Sequence, residues 1–349
     1  MKALVMHGPG RFGVEEVPKP ACGDDEVLVQ VKAVAICGSD PVLLAGGSLS
    51  DGLPGSLPHI AGHEGAGVIV ECGGKVRGFA VGDRVAVESH LGCGYCENCQ
   101  AGRYNLCMNF GDVAAGHKQY GFTVPGCYAE YCVYRPEVLH RIPDNLTFDH
   151  GALTDTVCTS FHAIEQAGIV AGGWTVIVGC GPVGMAMLML CRAMGSRTIV
   201  LETGARREKA KEFGADFVFD FLDGDVLEQI QRITGGKGAD RCFDCAGNRA
   251  SMELALHACR RGGTVGLVAI PKSPLMEIDL KTIVWDEKKL VGSRGNPNSH
   301  DRALAMMSAG LIQAERMITH HFPLERFQEA LDLFTSRADG VIKVVITMN

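Results

Sequence analysis

Four cysteines crowd one short segment: Cys93-Gly-Tyr-Cys96-Glu-Asn-Cys99, followed by Cys107, a C-x2-C-x2-C-x7-C spacing. Two-residue gaps let neighbouring sulfurs turn toward a common point, and four thiolates at about 2.3 Å satisfy tetrahedral zinc. The stretch from Cys93 to Asn109 is glycine-bearing and weakly hydrophobic. It reads as an irregular lobe that needs a metal to hold its shape. Four thiolates leave zinc no open position, so this ion is expected to be structural and the chemistry to lie elsewhere. Disulfides are the competing use of these thiols. The opening Met1-Lys2-Ala3-Leu4-Val5 lacks a secretory pattern, which predicts a reducing compartment and favours the metal.

A second pattern suits phosphates. Gly179-Cys-Gly181-Pro182-Val183-Gly184 directly follows the apolar run Thr175–Val178 and opens a longer apolar segment. In a strand–turn–helix context, Gly179 permits the tight turn, Gly181 lets backbone approach a pyrophosphate, and Gly184 lets helix pack on strand. The diphosphate would rest on the helix N-terminus, where free N–H groups favour anions. Glu202 ends the next apolar run. A carboxylate there accepts hydrogen bonds from a ribose 2′-hydroxyl and repels a 2′-phosphate, favouring NAD over NADP; a solvated turn residue is its competing role. Arg206 and Arg207 pull the other way, since a guanidinium can receive the phosphate. Met185, Met187, Met189 and Met194 read as a packing face rather than a cofactor box.

These groups need elements to position them. The first third alternates or runs apolar at Val27–Val34, Gly65–Glu71 and Asp83–Glu88, separated by Gly, Pro and Asp turns, and reads as β-rich. After Pro143–Thr147 the rhythm becomes strand, helix, strand, helix, with strands at 175–178, 198–201, 217–219, 241–245 and 264–268 and helices at 182–194, 206–213 and 225–233. That alternation predicts a parallel sheet with helices on both faces, an α/β fold. Helices are expected at 302–310 and 324–335 and a final strand at 340–346. The length of 349 residues suggests two domains. A net charge of −7 argues against a nucleic-acid backbone binder. The longest apolar candidate, Val183 to Leu190, is too short to cross a membrane. Ten further cysteines lack ligand spacing and read as small buried hydrophobes.

Cys37-Gly-Ser39-Asp40 ends the first strand, and Gly62-His63-Glu64 precedes another. Cys, His and a carboxylate are the ligand types of a zinc with an open position. With Gly62-His-Glu-Gly-Ala-Gly-Val68, Val81-Gly-Asp-Arg-Val85, Cys127-Tyr-Ala-Glu-Tyr131, the cysteine lobe and the glycine turn, all in family order, the chain resembles the zinc-containing medium-chain dehydrogenase/reductase family. The polyol (sorbitol-type) and threonine dehydrogenase branch is the most similar. Glu88-Ser-His90 and Ile318-Thr-His320-His321 lean toward the threonine type.

The resemblance implies a GroES-like catalytic domain of residues 1–155 and 296–349, carrying the lobe at 93–107. A Rossmann NAD-binding domain of residues 156–295 is inserted. It implies a catalytic zinc on Cys37 and His63, with Glu64 or Asp155 as third ligand. Asp155 stands where other members place a Cys, Glu or Asp. Ser39 matches the hydroxyl that starts proton removal, with local turn capping its competing role. Many members finish the relay with a His where this chain has Val42. Water held by Glu64 or Asp155, or His90, then remains to carry the proton. His162, His320 and His321 read as structural, and Arg294 as a solvated loop residue or a cleft contact. The expected reaction is hydride transfer from a secondary alcohol of a polyol or sugar derivative to NAD in a cytoplasmic homo-oligomer, dimer or tetramer. Threonine-like oxidation is the second expectation, and a non-catalytic dinucleotide-binding protein the rival of another class.

Overall fold

The computed structural model describes residues 1–47, 56–271 and 273–348. They form two compact units. One comprises Met1–Asp155, Pro297–Gly310 and Ala314–Asn349; the other comprises Thr156–Asn296 and Leu311–Gln313.

In the first unit the strands are β1 (Lys2–Gly8), β2 (Arg11–Glu16), β3 (Val27–Ala35), β4 (His59–Ile60), β5 (Gly65–Cys72), β6 (Arg84–Val87), β7 (His90–Leu91), β8 (Lys118–Gln119), β9 (Tyr131–Tyr134) and β10 (Leu139–Arg141). The second unit supplies β11 (Trp174–Val178), β12 (Arg197–Leu201), β13 (Phe217–Phe219), β14 (Ala239–Asp244), β15 (Cys259–Leu267) and β16 (Lys289–Gly292). The chain then returns to the first unit with β17 (Ile318–Pro323) and β18 (Lys343–Thr347).

The main sheet of the first unit runs β10-β6-β5-β3-β18-β17, with β9 also on β3. Its centre is β3, buried except at Gln30 and Lys32. That burial explains its near-continuous Val and Ala run, because both faces meet apolar neighbours. Val29, Val31, Ile69, Val85, Tyr128 and Phe327 share one core with Val344 and Ile346. The last strand therefore completes the sheet begun by the first third of the chain: β18 lies antiparallel to β3, with Val345 opposite Ala35. This register brings Lys343 to the end of β3 from which Cys37 follows.

The second unit is a six-stranded sheet, β13-β12-β11-β14-β15-β16, with every neighbouring pair parallel. The helix Pro182–Ala193 is buried continuously from Gly184 to Cys191. Met185, Met187 and Met189 are thus core residues, and Met194 sits half-buried at the helix end. Two glycines are dictated by geometry. Gly179 has φ +89°, and a Cβ on Gly184 would fall 2.0 Å from the Gly179 carbonyl oxygen.

Among the elements not evident from periodicity are a hairpin, a long helix and a late strand. The hairpin β1–β2 joins β4 in a separate small sheet. A 20-residue helix, Phe148–Ala167, carries the chain across the division between the units; its weak amphipathicity hid it, since much of its surface is buried. His320 and His321 lie within β17, and Ile318, Thr319 and Phe322 supply its β-forming character. Among the described residues no helix is long and apolar enough to cross a membrane.

Candidate metal and cofactor sites

The four lobe cysteines converge. Cys93 and Cys99 sulfurs are 3.9 Å apart, and those of Cys96 and Cys107 are 4.0 Å apart. A tetrahedron with 2.3 Å zinc–sulfur bonds has edges of about 3.8 Å. The lobe is built from the short helix Glu97–Gln100 and a turn at Tyr104–Leu106. It exposes Tyr95 and Met108, so apolar packing does little to hold it. Backbone amides point at the sulfurs: Cys96 N–H donates to Cys93 Sγ at 3.4 Å, and Cys93 N–H to Cys107 Sγ at 3.5 Å. Slight burial raises the Cys93 thiol, but the amides of Cys96 and Tyr95 outweigh it and bring it down to about 6. A thiolate held ready in this way is a metal ligand. All fifteen cysteines are unpaired thiols.

Cys37, His63 and Glu64 form a second convergence, with ligand atoms all within 4.8 Å of one another. Cys37 follows β3, and His63 and Glu64 immediately precede β5; β3 and β5 are antiparallel neighbours, which joins the two loops. His63 is buried. Burial opposes its protonation, but the Cys37 sulfur, which also hydrogen-bonds the ring, together with Asp40 and Asp155, raises its pKa to about 10. Nδ1 has no hydrogen-bond partner. Nδ1 faces Asp40 Oδ1 at 3.7 Å. A soft thiolate and an imidazole facing one buried point, with a carboxylate behind the imidazole, fit a zinc centre. Asp155 is buried and acts on both His63 and Lys343, but its oxygens fall outside the 4.8 Å group. The Ser39 hydroxyl is buried and makes no hydrogen bond. It precedes the helix Asp40–Leu44 yet does not cap it.

Two charged residues here escaped sequence reasoning. Lys343 is buried, and its ammonium lies 2.5 Å from Glu64 Oε2, itself buried. Burial disfavours the ammonium, but Glu64, Cys37 and Asp155 outweigh it and raise its pKa, so it stays charged. The signal was a lone lysine inside Val341-Ile-Lys343-Val-Val-Ile346. Asp40 Oδ2 accepts the Tyr128 hydroxyl at 2.6 Å and the Cys37 amide at 2.8 Å, and burial pushes its carboxyl upward. Its position beside Cys-Gly-Ser was the available hint.

On the second unit, Gly181 occupies the N-cap position of Pro182–Ala193. A Cβ built on Gly181 meets nothing nearer than the Arg206 guanidinium at 3.5 Å, so the turn is open on that side. Glu202 anchors it: Oε2 accepts the Cys180 N–H at 2.6 Å, and Oε1 accepts the Thr203 N–H at 2.8 Å. Val183 lies in the first helical turn, and its carbonyl accepts the Ser160 hydroxyl at 2.8 Å. Arg207 is bound to Asp220 at 3.1 Å. An open glycine turn at a helix N-terminus, closed from below by an acid, fits a dinucleotide diphosphate and ribose.

Other sequence candidates are not members of these two ligand groups. His90 is buried on β7, with Nδ1 3.2 Å from Ser89 Oγ, and lines a cavity of about 400 Å³ with Glu88 and His140. His162 lies 4.0 Å from Glu165. His321 bonds Asp149 at 2.9 Å. Arg294 is exposed on the segment after β16, and Val42 is exposed.

Comparison with known proteins accords with this geometry. The alcohol dehydrogenase GroES-like domain matches residues 23–144, and the zinc-binding dehydrogenase family matches residues 182–309. A sorbitol dehydrogenase of Bacillus subtilis strain 168 is 33% identical over 351 residues, covering 100% of this chain and 98% of its own. A zinc-binding dehydrogenase structure from Sinorhizobium meliloti 1021, bound to NADP, superposes with a TM-score of 0.89 at 32% identity, covering 99% of this chain and 98% of that one. An alcohol dehydrogenase from Escherichia coli CFT073, complexed with NADH, gives 0.90 at 25% identity and 99% coverage of both.

Two outcomes are expected. His63 must release its proton to ligate zinc, and its pKa of about 10 lies above neutrality. Zinc affinity at this site should therefore fall about tenfold per unit as pH drops below that value; competition with a chromophoric chelator measures the slope, and a flat profile contradicts the protonated His63. Lys343→Ala leaves Glu64 as an uncompensated buried charge and should cost about 3–5 kcal/mol in denaturant unfolding, with part regained in Lys343→Ala/Glu64→Gln.

Proposed function

The chain belongs to the zinc-containing medium-chain alcohol/polyol dehydrogenase family and is a zinc-dependent dehydrogenase of CH–OH groups; from that premise we propose that it oxidises a secondary alcohol of a polyol or sugar derivative to the ketone, with NAD as acceptor. The observation that carries this is the convergence of Cys37, His63 and Glu64, with the unpartnered buried hydroxyl of Ser39 two positions after Cys37. Residues 1–155 and 296–349 act as the catalytic domain, and 156–295 as the NAD-binding domain. Zinc on Cys37 and His63, with Glu64 or Asp155 as third ligand, supplies Lewis-acid polarisation of the alcohol, and NAD supplies the hydride acceptor. A second zinc on Cys93, Cys96, Cys99 and Cys107 is structural.

The protein's own groups do the rest. Ser39 Oγ would accept the substrate hydroxyl proton while handing its own to water held by Glu64 or Asp155. Val42 has nothing to ionise, so this step does not end on a side chain at that position. Asp40 orients His63, and Lys343 offsets the charge of Glu64. Lys343 offsets part of the negative charge that Cys37, Glu64 and Asp155 bring to the residues that would hold the zinc. Gly179, Gly181, Pro182, Val183 and Gly184 cradle the diphosphate. Glu202 supports NAD, because a carboxylate repels a 2′-phosphate, and Arg207, tied to Asp220, is less able to receive one.

A homo-oligomer is part of this reading. Strand β16 is the edge of its sheet, and Leu280, Val284 and Trp285 just before it are 65%, 78% and 76% exposed. Two copies pairing there would cover both the edge and the apolar groups. The free thiols support a reducing, cytoplasmic setting.

The direct test is reduced-nicotinamide formation across polyols, sugars, simple secondary alcohols and L-threonine, with and without chelator. Polyols with NAD should give the highest kcat/KM, the chelator should abolish it, and Ser39→Ala should lower kcat about 10²–10³-fold with a smaller effect on KM. Preference for L-threonine or a simple alcohol would overturn the substrate assignment. Sedimentation velocity addresses assembly: Trp285→Glu should shift the protein to monomer, and a monomeric parent protein would remove the pairing.

A further inference from the structure

A third convergence of ligand atoms, Glu88, His140 and His300, lies within the first unit and forms a ligand group separate from both sets of zinc ligands. Glu88 follows β6 directly. His140 is the middle residue of β10, opposite Ala86 of β6. His300 opens the helix His300–Ser308. The pairing of β6 with β10 and the packing of that helix bring the three side chains to one buried point. Glu88 Oε2 lies 3.2 Å from His140 Nε2 and 3.4 Å from His300 Nδ1. The two imidazoles stack, with centroids 4.6 Å apart and 15° between planes.

We propose that Glu88, His140 and His300 bind a further zinc ion. Zinc with nitrogen and oxygen ligands at about 2.0–2.1 Å places its donor atoms about 3.3 Å apart, and the two oxygen–nitrogen separations bracket that value. His140 Nδ1 lies 2.9 Å from Asp301 Oδ1. A proton held on Nδ1 by that carboxylate turns the Nε2 lone pair toward Glu88, as in the carboxylate–histidine–metal arrangement. Two acceptors then face each other across 3.2 Å, and a cation between them removes the conflict. A proton on His140 Nε2 would also remove it, but would leave His300 unserved. His300 is fully buried, and neither ring nitrogen has a hydrogen-bond partner. Burial of polar nitrogens without partners is unfavourable, and ligation through Nδ1 relieves one of them. The carboxylates of Glu88 and Asp301 stand against the positive end of the His300 helix.

Two histidines and a glutamate are a zinc set that leaves a fourth position open. The cavity of about 400 Å³ lined by Glu88, His90, His140 and Asp301 gives an entry path and room for a water ligand. The same cavity is lined by Gly92, Gly94 and Cys99 of the thiol lobe, so the ion would stiffen the base of that lobe.

Metal content after equilibration with zinc tests this without reference to turnover. The wild-type chain should hold one zinc beyond the two at its cysteine-bearing sites, and Glu88→Gln and His140→Ala should lose only that one. Asp301→Asn alters an exposed carboxylate and should leave the fold intact while weakening this zinc about 10–100-fold. Cobalt at this site should give ligand-field bands with no thiolate charge-transfer band, which separates it from exchange at the cysteine sites. Absence of the extra zinc from the wild-type chain, or its retention with unchanged affinity in both His140→Ala and Asp301→Asn, would overturn the proposal and leave the cluster as an imidazolium between carboxylates.

Discussion

The ion pair of Glu64 and Lys343 sets the terms for the first unit. Two charges 2.5 Å apart are both withdrawn from water. Each is tolerable only because the other is there, since an isolated buried charge costs several kcal/mol. The strands that deliver them are therefore tied in register: β18 must lie on β3, and β3 on β5, or a bare charge is left inside the core. The same register puts Cys37 against His63. The Cys37–His63 pairing and the sheet are thus specified by one electrostatic requirement.

The two cysteine-bearing sites differ in how the chain assembles them. The lobe takes all its ligands from one short segment, and the local turn brings the sulfurs together before any distant contact is needed. The Cys37 site draws on β3, the loop before β5, the helix beginning at Phe148 and the last strand. Its cost is loop closure over long separations, and it forms only as the sheet forms.

That difference governs what could be read from residues alone. The lobe was legible because its chemistry is written in consecutive spacing. So was the glycine turn, because Gly179 and Gly184 answer local demands of backbone approach, and the parallel sheet was legible from its alternating strands and helices. Asp40 and Lys343 were not, because their meaning depends on what a different strand places opposite them. Lys343 is a lone charge in an apolar strand whose meaning comes from the carboxylate of Glu64 beside it. The helix Phe148–Ala167 was hidden for a related reason: burial on much of its surface erases the amphipathic period that marks a surface helix. Glu88 and His90, read first for a resemblance, belong spatially with His140.

The return of the final strand to the centre of the first sheet has a bearing on synthesis. As the chain leaves the ribosome, β3 and β5 emerge early, with an unfilled position where β18 will lie and with Glu64 lacking its counter-charge. The second unit, whose strands are nearly continuous in the chain, emerges whole before β18 exists. It can fold as a unit during elongation, while the sheet that carries Cys37 and His63 stays open until the last strand is made. The Cys37–His63 centre therefore matures after the parallel sheet, and a nascent chain stalled before β18 would carry a finished parallel sheet and a thiol–imidazole pair still open to solvent.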